Sequence, residues 1–502
     1  MCILCVALIL ASSSAFASNL KNEPDFHLID SFIQNQMEDC RIPGFSLGII
    51  RGTEVLYLTG YGKADESGRA VMPQTPFVIG SVSKTFTALA VMQLVEGGLV
   101  SLDQPVQAYL PSFSLADRSA AAKITVRQLL NHTSGIPKEA EFRAATLRGD
   151  GETISSLVAK FDVIKPHSQP GSVYAYSNAN FIILGELIQQ VSGLSYGEYI
   201  KKYIFEPLEM HHSYTTDSDA AMDGLAVGYR SVFGFPVPSG LPVRQDFLPA
   251  ANIISCAEDM THYMMAMLGG GRYKDAQVLS EQGISIMLKS SAEYTKWISY
   301  GLGWFVTSGS IYHGGELTDY QSMVKMLPQD RLGVVLMYNT SSSTLGTIMN
   351  VGYRDRIETG IFNVLYGADP MDQPGRNPLD LNNYPTALKY GIMQFAFVLI
   401  VLLLALSLIR LRTLGRRFGK SKAARLRLTL VTILIHFVLP MILLVGIPVS
   451  ANVTWAFVLD YIPDVGWYML GSAVMLLLIG VAKGIVIWKH SMQKVQHSKP
   501  AA

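Results

Sequence analysis

The alternation of apolar and polar residues predicts strands at both ends of the first 340 residues and helices between them. A helix is predicted from 25 to 37, where apolar residues recur at helical spacing: Phe26, Ile29, Ile33 and Met37. Two apolar runs, Phe45 to Ile50 and Val55 to Tyr61, flank Arg51-Gly-Thr-Glu54, which predicts a β-hairpin.

The later part of this region returns to strands after a long helical stretch. Residues from Ser101 to about Ser290 are mostly helical with many turns, and strands are predicted at 302–307, 321–327 and 332–338. We therefore expect an α/β domain whose antiparallel sheet is built from both chain ends. Helices should flank the sheet, and a helical subdomain should form the other wall of a cleft.

The C-terminal part has a different pattern. Residues 367–388, rich in Pro, Asn and Asp, are typical of a linker. Three apolar segments follow in the predicted membrane domain 389–502, at about 392–409, 428–449 and 467–488. Each is long enough to cross a bilayer. A buried core helix is the alternative for any one of them, but three in succession favour a lipid bilayer as the partner.

The formal net charge of +1 conceals a division between these two parts. From Lys389 onward there are 13 basic and 2 acidic residues, against 27 basic and 37 acidic before it. Eight basic residues separate the first two apolar segments, whereas Asp460 and Asp464 separate the last two. The positive-inside rule then places the basic loop in the cytoplasm and residues 18–366 outside it. The N-terminal part has no basic cluster among aromatic residues, which argues against nucleic acid.

The N-terminal residues predict export. An apolar run ends in Ala15-Phe16-Ala17, which is typical of a secretory signal peptide, residues 1–17, cleaved after Ala17. A retained anchor is the alternative. Beyond this segment only Cys40 and Cys256 remain, and their separation predicts two free thiols without a disulfide framework.

The first candidate for chemistry is the stretch that contains Ser81 and Lys84, which fits S-x-x-K. Residues three apart on a helix lie on one face, so the lysine nitrogen can reach the serine hydroxyl. A lysine with a pKa of about 10.4 is protonated near neutral pH, so the pair works only if burial or a second cation removes that proton. Lowering the pKa by about three units costs roughly 4 kcal/mol.

The second candidate is Tyr176-Ser-Asn178, which precedes an apolar helix predicted from Phe181 to Val191. In an extended stretch the two outer side chains point the same way, so a phenol and an amide would enter the cleft together. A tyrosine beside a lysine ammonium has its phenolate favoured, so Tyr176 can take the serine proton and pass it to a leaving nitrogen. Alone, the segment is better explained as a turn, in which tyrosine next to asparagine is common.

The third candidate is His313-Gly314-Gly315-Glu316, between strand-like residues. Glycines there would let backbone N–H groups come close to a bound carbonyl and supply an oxyanion donor. Alone, a turn with a surface histidine explains it better. The pair His211-His212 has no further ligand at metal spacing, so a surface turn is favoured over a metal site.

Together and in this order, the three candidates resemble the serine β-lactamase and penicillin-binding-protein family, most closely its class C β-lactamase-like branch. The similarity covers about residues 25 to 340 and includes further segments: 124–137, 205–210, 257–260 and 300–304. The resemblance implies that Ser81 is the acylated nucleophile, Lys84 its activating lysine and Tyr176 the general base and acid. It also implies substrate binding by Asn178, His313, Gly314, Gly315 and Glu316, without metal or cofactor.

One departure bears on the substrate. His313-Gly-Gly315 stands where class C β-lactamases have Lys-Thr-Gly. A histidine with a pKa of about 6.5 is mostly neutral near pH 7 and holds a substrate carboxylate poorly. The His-x-Gly form looks more like D-amino-acid peptidases and esterases of the branch.

The combined expectation is a membrane-anchored, extracytoplasmic serine hydrolase that cleaves amide bonds in small peptides. A hydrolase followed by three spans resembles prodrug-activating membrane peptidases of the colibactin-maturing type. A D-amino-acid peptidase, a DD-peptidase, an esterase and a β-lactamase of the same family stay open, as do a penicillin sensor and a non-catalytic binding protein.

Overall fold

The structure is a computed structural model of the 502-residue chain. It describes residues 24–138, 140, 141, 144, 153–240, 243–341 and 353–372, and in the C-terminal part 395, 398, 399, 401, 402, 406, 422–446, 449, 455, 458, 459 and 463–497. The described residues up to 372, except 232–234, form one compact unit, and those from 395 onward belong to a second. The predicted signal peptide and most of the predicted linker lie outside the described residues.

The α-helices are α1 Phe26–Cys40, α2 Ser83–Glu96, α3 Arg118–Ala121, α4 Val126–Leu130, α5 Ile154–Ala159, α6 Asn178–Ser192, α7 Tyr196–Ile200, α8 Asp217–Met222, α9 Ala257–Leu268, α10 Glu281–Leu288, α11 Tyr353–Leu365, α12 Lys422–Ile433, α13 Leu439–Met441 and α14 Pro463–His497. Short 3₁₀ turns are Gly80–Val82, Val106–Ala108, Lys160–Val163 and Gln245–Phe247, and π-helical turns are Lys201–Phe205, Leu248–Asn252, Leu434–Val438 and Ile442–Gly446.

The strands are β1 Gly44–Arg51, β2 Glu54–Gly62, β3 Phe77–Val78, β4 Tyr229–Val232, β5 Phe235–Pro238, β6 Ile254–Ser255, β7 Arg272–Tyr273, β8 Ala276–Gln277, β9 Ala292–Thr295, β10 Ile298–Tyr300, β11 Phe305–Val306, β12 Ile311–Glu316, β13 Gln321–Leu327 and β14 Leu332–Tyr338.

The main sheet joins the two ends of the first unit, as the sequence predicts. Its order is β2-β1-β14-β13-β12-β11-β10-β9, and all neighbouring strands are antiparallel. The early hairpin pairs with the last strand, so that Phe45 lies opposite Tyr338. The predicted strands 321–327 and 332–338 are confirmed at both ends. The predicted strand 302–307 is shorter, because Leu302 and Trp304 leave the sheet for the helical core.

Two hydrophobic cores lie on opposite faces of this sheet. On one face, Phe45, Leu47 and Ile49 of β1 pack against α1 and α11. On the other face, Gly48 brings β1 against α9, where an added Cβ would lie 2.8 Å from the methyl carbon of Thr261. The alternation of side chains along a strand therefore assigns β1 to both cores at once. The larger core contains α2 and α6, the helices that begin at the candidate site residues.

Among the described residues of the C-terminal unit, two helices are long and apolar enough to span a membrane. They cover Thr429–Gly446 and Gly466–Lys489, with mean hydropathy of 2.4 and 2.3. These correspond to the second and third predicted spans. The first predicted span, 392–409, lies largely outside the described residues, so the structure supports two spans where the sequence predicts three.

Strand β12 meets the segment before Ser81 so closely that only glycine fits at position 315. A Cβ on Gly315 would lie 2.0 Å from the Ile79 carbonyl oxygen, which already accepts a hydrogen bond from Ser322 Oγ at 2.6 Å. The backbone on both sides belongs to packed elements and cannot easily yield.

We predict that Gly315→Ala destabilises the first unit by about 1–3 kcal/mol, because the added methyl group overpacks this contact. The midpoint of thermal unfolding, followed by tryptophan fluorescence in detergent, should fall by at least about 2 °C. The matched control is Gly309→Ala in the turn before β12, where a Cβ meets nothing within 4 Å. Equal midpoints for the two variants would contradict the described packing.

Candidate active site

The Ser81 hydroxyl lies in the 3₁₀ turn that leads into α2. The preceding residue, Gly80, has φ +54, a left-handed conformation that favours glycine. A Cβ there would lie 2.7 Å from the backbone nitrogen of Glu316. Gly80 therefore permits β12 to lie directly beside the serine.

The neighbouring serine, Ser83, has a structural role. Its side chain is fully buried, and its hydroxyl donates to the Gly80 carbonyl at 2.7 Å and accepts from the Ile253 N–H at 3.0 Å. These bonds tie the start of α2 to the chain after the π-helical turn Leu248–Asn252. Ser81 is partly exposed, so it is the serine of this motif that a substrate can reach.

Lys84 is completely buried and donates to three acceptors. Its Nζ lies 3.0 Å from Ser81 Oγ, 2.8 Å from Asn178 Oδ1 and 2.7 Å from the Ala250 carbonyl oxygen. The three acceptors match the three hydrogens of an ammonium group. If the amine is neutral, its lone pair can instead accept the Ser81 hydroxyl hydrogen over the same distance. One geometry therefore serves both protonation states.

Burial lowers the pKa of Lys84 to about 7, and the negative charge of Glu141 opposes this shift. The direction follows from desolvation, which penalises the charged form of a buried lysine. At neutral pH a substantial fraction of Lys84 is then unprotonated. The S-x-x-K pair works only if burial or a second cation removes the lysine proton, and burial meets this condition here.

Tyr176 and Asn178 reach the same cluster from the start of α6. Lys84 Nζ lies 4.8 Å from the centre of the Tyr176 ring, and the Tyr176 hydroxyl is hydrogen-bonded to Ser81. Burial raises the pKa of Tyr176 above its usual value, although the Ser81 hydrogen bond lowers it in part. The expected preference for a phenolate is therefore outweighed by desolvation, and Tyr176 is a neutral phenol near pH 7.

His313 lies within strand β12 and is buried, not in a surface turn. Its Nδ1 lies 2.8 Å from the Gly314 carbonyl oxygen, which can only accept, so Nδ1 carries the ring hydrogen. Its Nε2 then accepts from the Tyr300 hydroxyl at 3.0 Å. Burial, with a smaller contribution from the charge of Lys84, lowers the pKa of His313 to about 3. The imidazole is therefore neutral, as the sequence analysis expects.

The remaining predicted residues line the same strand. Gly315 faces Ile79, and the backbone nitrogen of Glu316 lies beside Gly80. At Gly314 an added Cβ would lie 2.7 Å from a guanidinium nitrogen of Arg354. Six of the predicted site residues lie together on one side of the sheet: Ser81, Lys84, Tyr176, Asn178, His313 and Gly315. Gly314 instead faces Arg354 on the opposite side of β12, and Glu316 approaches the serine through its backbone nitrogen.

Three further groups of this cluster were not predicted as site residues. The Ala250 carbonyl belongs to the backbone, so no residue type in the sequence indicates that it binds Lys84. Glu141, which is 1% exposed, accepts from Asn178 Nδ2 at 2.8 Å. His132 is fully buried beside them, and its Nδ1 accepts from the Ser177 N–H at 3.2 Å. Its ring centre also lies 4.3 Å from that of Tyr176.

Within the part of the chain that the structure describes, no group of three or more His, Cys, Asp or Glu side chains could hold a metal ion. The described cluster combines a serine hydroxyl, a buried lysine amine with a lowered pKa and a buried phenol. These groups suit acyl transfer through a serine.

Curated bacterial proteins include relatives that are similar to this chain in sequence. The protein flp of Staphylococcus aureus strain MW2 is 28% identical over 318 residues, which are 62% of this chain and 63% of the relative. The putative penicillin-binding protein PbpX of Bacillus subtilis strain 168 is 28% identical over 338 residues, 66% of this chain and 81% of the relative. The chain thus spans less than two thirds of the length of flp.

Solved structures share the fold. An octameric penicillin-binding protein homologue from Pyrococcus abyssi has a TM-score of 0.58 and 29% identity, covering 69% of this chain and 78% of the homologue. A class C beta-lactamase has a TM-score of 0.56 and 23% identity, covering 65% and 94%. The family model named Beta-lactamase matches residues 29–354, which contain every candidate site residue. The chain therefore belongs to the beta-lactamase family.

Proposed function

We propose that the protein is a serine hydrolase that cleaves amide bonds through an acyl-enzyme on Ser81. The observation that carries this proposal is the buried Lys84, whose Nζ lies 3.0 Å from Ser81 Oγ and whose pKa is lowered to about 7. A lysine of this kind can accept the serine proton near neutral pH. Membership of the beta-lactamase family supports hydrolase chemistry in general.

In the acylation step, Ser81 Oγ attacks the substrate carbonyl carbon while its proton moves to Lys84 Nζ. We assign the stabilisation of the developing oxyanion to the backbone N–H groups of Ser81 and Glu316, because Gly80 brings these two backbone segments together. The C–N bond then breaks. Tyr176, kept protonated by burial, donates its proton to the leaving nitrogen and receives one from the Lys84 ammonium.

Deacylation reverses these roles. A water molecule attacks the acyl carbon and gives a proton to the Tyr176–Lys84 pair, which returns a proton to Ser81 Oγ as the ester bond breaks. The three hydrogen bonds of Lys84 hold its nitrogen in place through both steps. The same machinery would hydrolyse esters, so an esterase is the second candidate.

The substrate class follows from position 313. The neutral His313, held between Tyr300 and the Gly314 carbonyl, brings no positive charge to the place where class C β-lactamases carry a lysine. Amides without a carboxylate at that position are therefore favoured over penicillin-type substrates. Peptides with a D-amino-acid residue, including N-acyl D-amino-acid prodrug motifs, are the substrates that the family resemblance supports.

The proposed location is a cell membrane, with the hydrolase unit outside the cytoplasm. Two described helices are long and apolar enough to span a bilayer, and the charge pattern around them favours a cytoplasmic basic loop. The substrate would then be exported or already outside.

We predict that Ser81→Ala abolishes covalent labelling by a fluorophosphonate and lowers turnover of acyl-D-amino-acid amides at least ~1,000-fold. The measurement is mass spectrometry of the detergent-solubilised protein after labelling. The control is Ser83→Ala, which loses structural hydrogen bonds but keeps the nucleophile, and so should still be labelled at Ser81. An adduct on Ser83 in the unmodified protein would contradict the assignment.

We predict that His313→Lys raises the ratio of kcat/KM for penicillin-type substrates to kcat/KM for uncharged amides. One charge-assisted hydrogen bond to the substrate carboxylate corresponds to roughly a tenfold increase in this ratio. His313→Gln is the neutral control, and Arg354 is present in both variants, so the difference reports on position 313. Rapid hydrolysis of cephalosporins by the unmodified protein would be inconsistent with this account.

We predict that a cysteine at position 453 is modified by a membrane-impermeant thiol reagent and that a cysteine at position 421 is not. The substitutions are Val453→Cys and Ser421→Cys, made in a background without the native cysteines. Position 421 follows five of the eight basic residues between the first two apolar segments, which resist translocation. Spheroplasts are used where an outer membrane blocks access. The opposite labelling pattern would place the hydrolase unit inside the cell.

A further inference from the structure

Glu141 is a buried carboxylate beside the proposed reacting groups. Neither the sequence motifs nor the proposed acylation steps give it a role. Its side chain is 1% exposed, and Oε1 accepts a hydrogen bond from Asn178 Nδ2 at 2.8 Å. The other end of the same amide, Asn178 Oδ1, accepts from Lys84 Nζ at 2.8 Å. The three side chains therefore form a continuous chain from the carboxylate to the lysine.

This chain fixes the orientation of the Asn178 amide. Lys84 as an ammonium can only donate, and the ionised Glu141 can only accept. If the amide rotated by half a turn, its NH₂ group would face the ammonium and its oxygen would face the carboxylate, so both contacts would become repulsive. In the observed orientation Nδ2 has a second hydrogen, which can be donated to a substrate carbonyl.

The charge of Glu141 also acts on the two proton carriers of the site. It favours the protonated form of Lys84 and of Tyr176. Desolvation acts on Lys84 in the opposite direction and is the larger effect. The other titratable groups that face this lysine are Tyr176, His132 and His313, and both histidines are neutral because burial lowers their pKa values.

We propose that Glu141 is a positioning residue of this site: its carboxylate holds the amide of Asn178 with the oxygen toward Lys84, and its charge limits how readily that lysine loses its proton. The inference rests on the proposed function, since it concerns the same nucleophile and base. Glu141 itself touches neither the reacting atoms nor the leaving group.

The test is the rate at which a fluorophosphonate labels Ser81, measured from about pH 5 to about pH 9 on the full chain in detergent. In this reaction the Ser81 oxygen bonds to phosphorus, fluoride leaves and the serine proton moves to Lys84. The rate should therefore rise with pH as Lys84 loses its proton, with a midpoint near its pKa of about 7.

Glu141→Gln keeps an acceptor for Asn178 but removes the charge. Because the charge stabilises the ammonium, the midpoint should move to lower pH, by roughly 0.5 unit or more, with the plateau rate within about threefold of the unmodified protein. Glu141→Asp keeps the charge but is one methylene shorter. It should leave the midpoint unchanged and lower the plateau rate by about tenfold, because Asn178 loses its fixed orientation.

The matched control is Glu186→Gln on the same helix as Asn178. Glu186 is 6% exposed and binds Ser155, Gln189 and Gln190, outside the site. It should change neither the midpoint nor the plateau. If this control moves the midpoint as far as Glu141→Gln does, the effect is not specific to the site and the inference is wrong.

Three further results would overturn the inference: an unchanged midpoint in Glu141→Gln, unmodified behaviour of Glu141→Asp in both quantities, or complete loss of labelling in a folded Glu141→Gln protein. The last result would mean that the carboxylate itself reacts. If Glu141→Gln does not fold, the plateau and midpoint of Glu141→Asp decide. Absence of Ser81 labelling in the unmodified protein would instead refute the proposed function.

Discussion

The proposed chemistry of this protein depends on keeping one lysine nitrogen out of water while satisfying all of its hydrogens. Burial without partners would be too costly for an ammonium group, and partners without burial would leave it permanently protonated. Lys84 avoids both outcomes because it has no exposed surface and three acceptors at 2.7 to 3.0 Å. The acceptors come from segments distant in sequence, around residues 81, 178 and 250. The proposed base therefore exists only in the folded domain.

The site also requires β12 and the segment before Ser81 to approach each other closely. A glycine on each of them, Gly315 and Gly80, allows this approach. Gly80 brings the backbone before Ser81 to the Glu316 nitrogen, and Gly315 brings β12 to the Ile79 carbonyl. A side chain at either position would separate the serine from the strand that bears His313. The sheet also links this contact to β14 through β13, so the geometry of the cleft depends on the pairing of the two chain ends.

Patterns that repeat along the sequence predicted most of the fold. Strands β13 and β14 were predicted at their observed limits, because a continuous apolar run between turn residues has few alternatives. The predicted nucleophile, lysine, tyrosine and asparagine lie together, because their spacing at the starts of α2 and α6 fixes their direction. The structure of the His313-Gly314-Gly315 stretch was harder to predict. Its glycines suggest a turn, but they lie in strand β12, where the absence of side chains allows close packing.

What the sequence did not reveal depends on contacts between distant segments. No residue type marks the Ala250 carbonyl as a lysine ligand, and an isolated Glu141 is typical of a solvated surface helix. The state of Tyr176 was misjudged for a related reason. A neighbouring cation favours a phenolate, but the extent of burial, which opposes it, follows only from the packed structure.

The pairing of β1 with β14 also has a consequence for how the chain folds during synthesis. Strand β1 finds its hairpin partner β2 within a few residues, but its other neighbour, around Tyr338, lies about 290 residues downstream. At roughly 5–20 residues per second, translation leaves one edge of β1 unpaired for on the order of 15–60 s. An apolar strand with an open edge is prone to aggregate. The nascent chain therefore passes through a period in which this edge is exposed to aggregation.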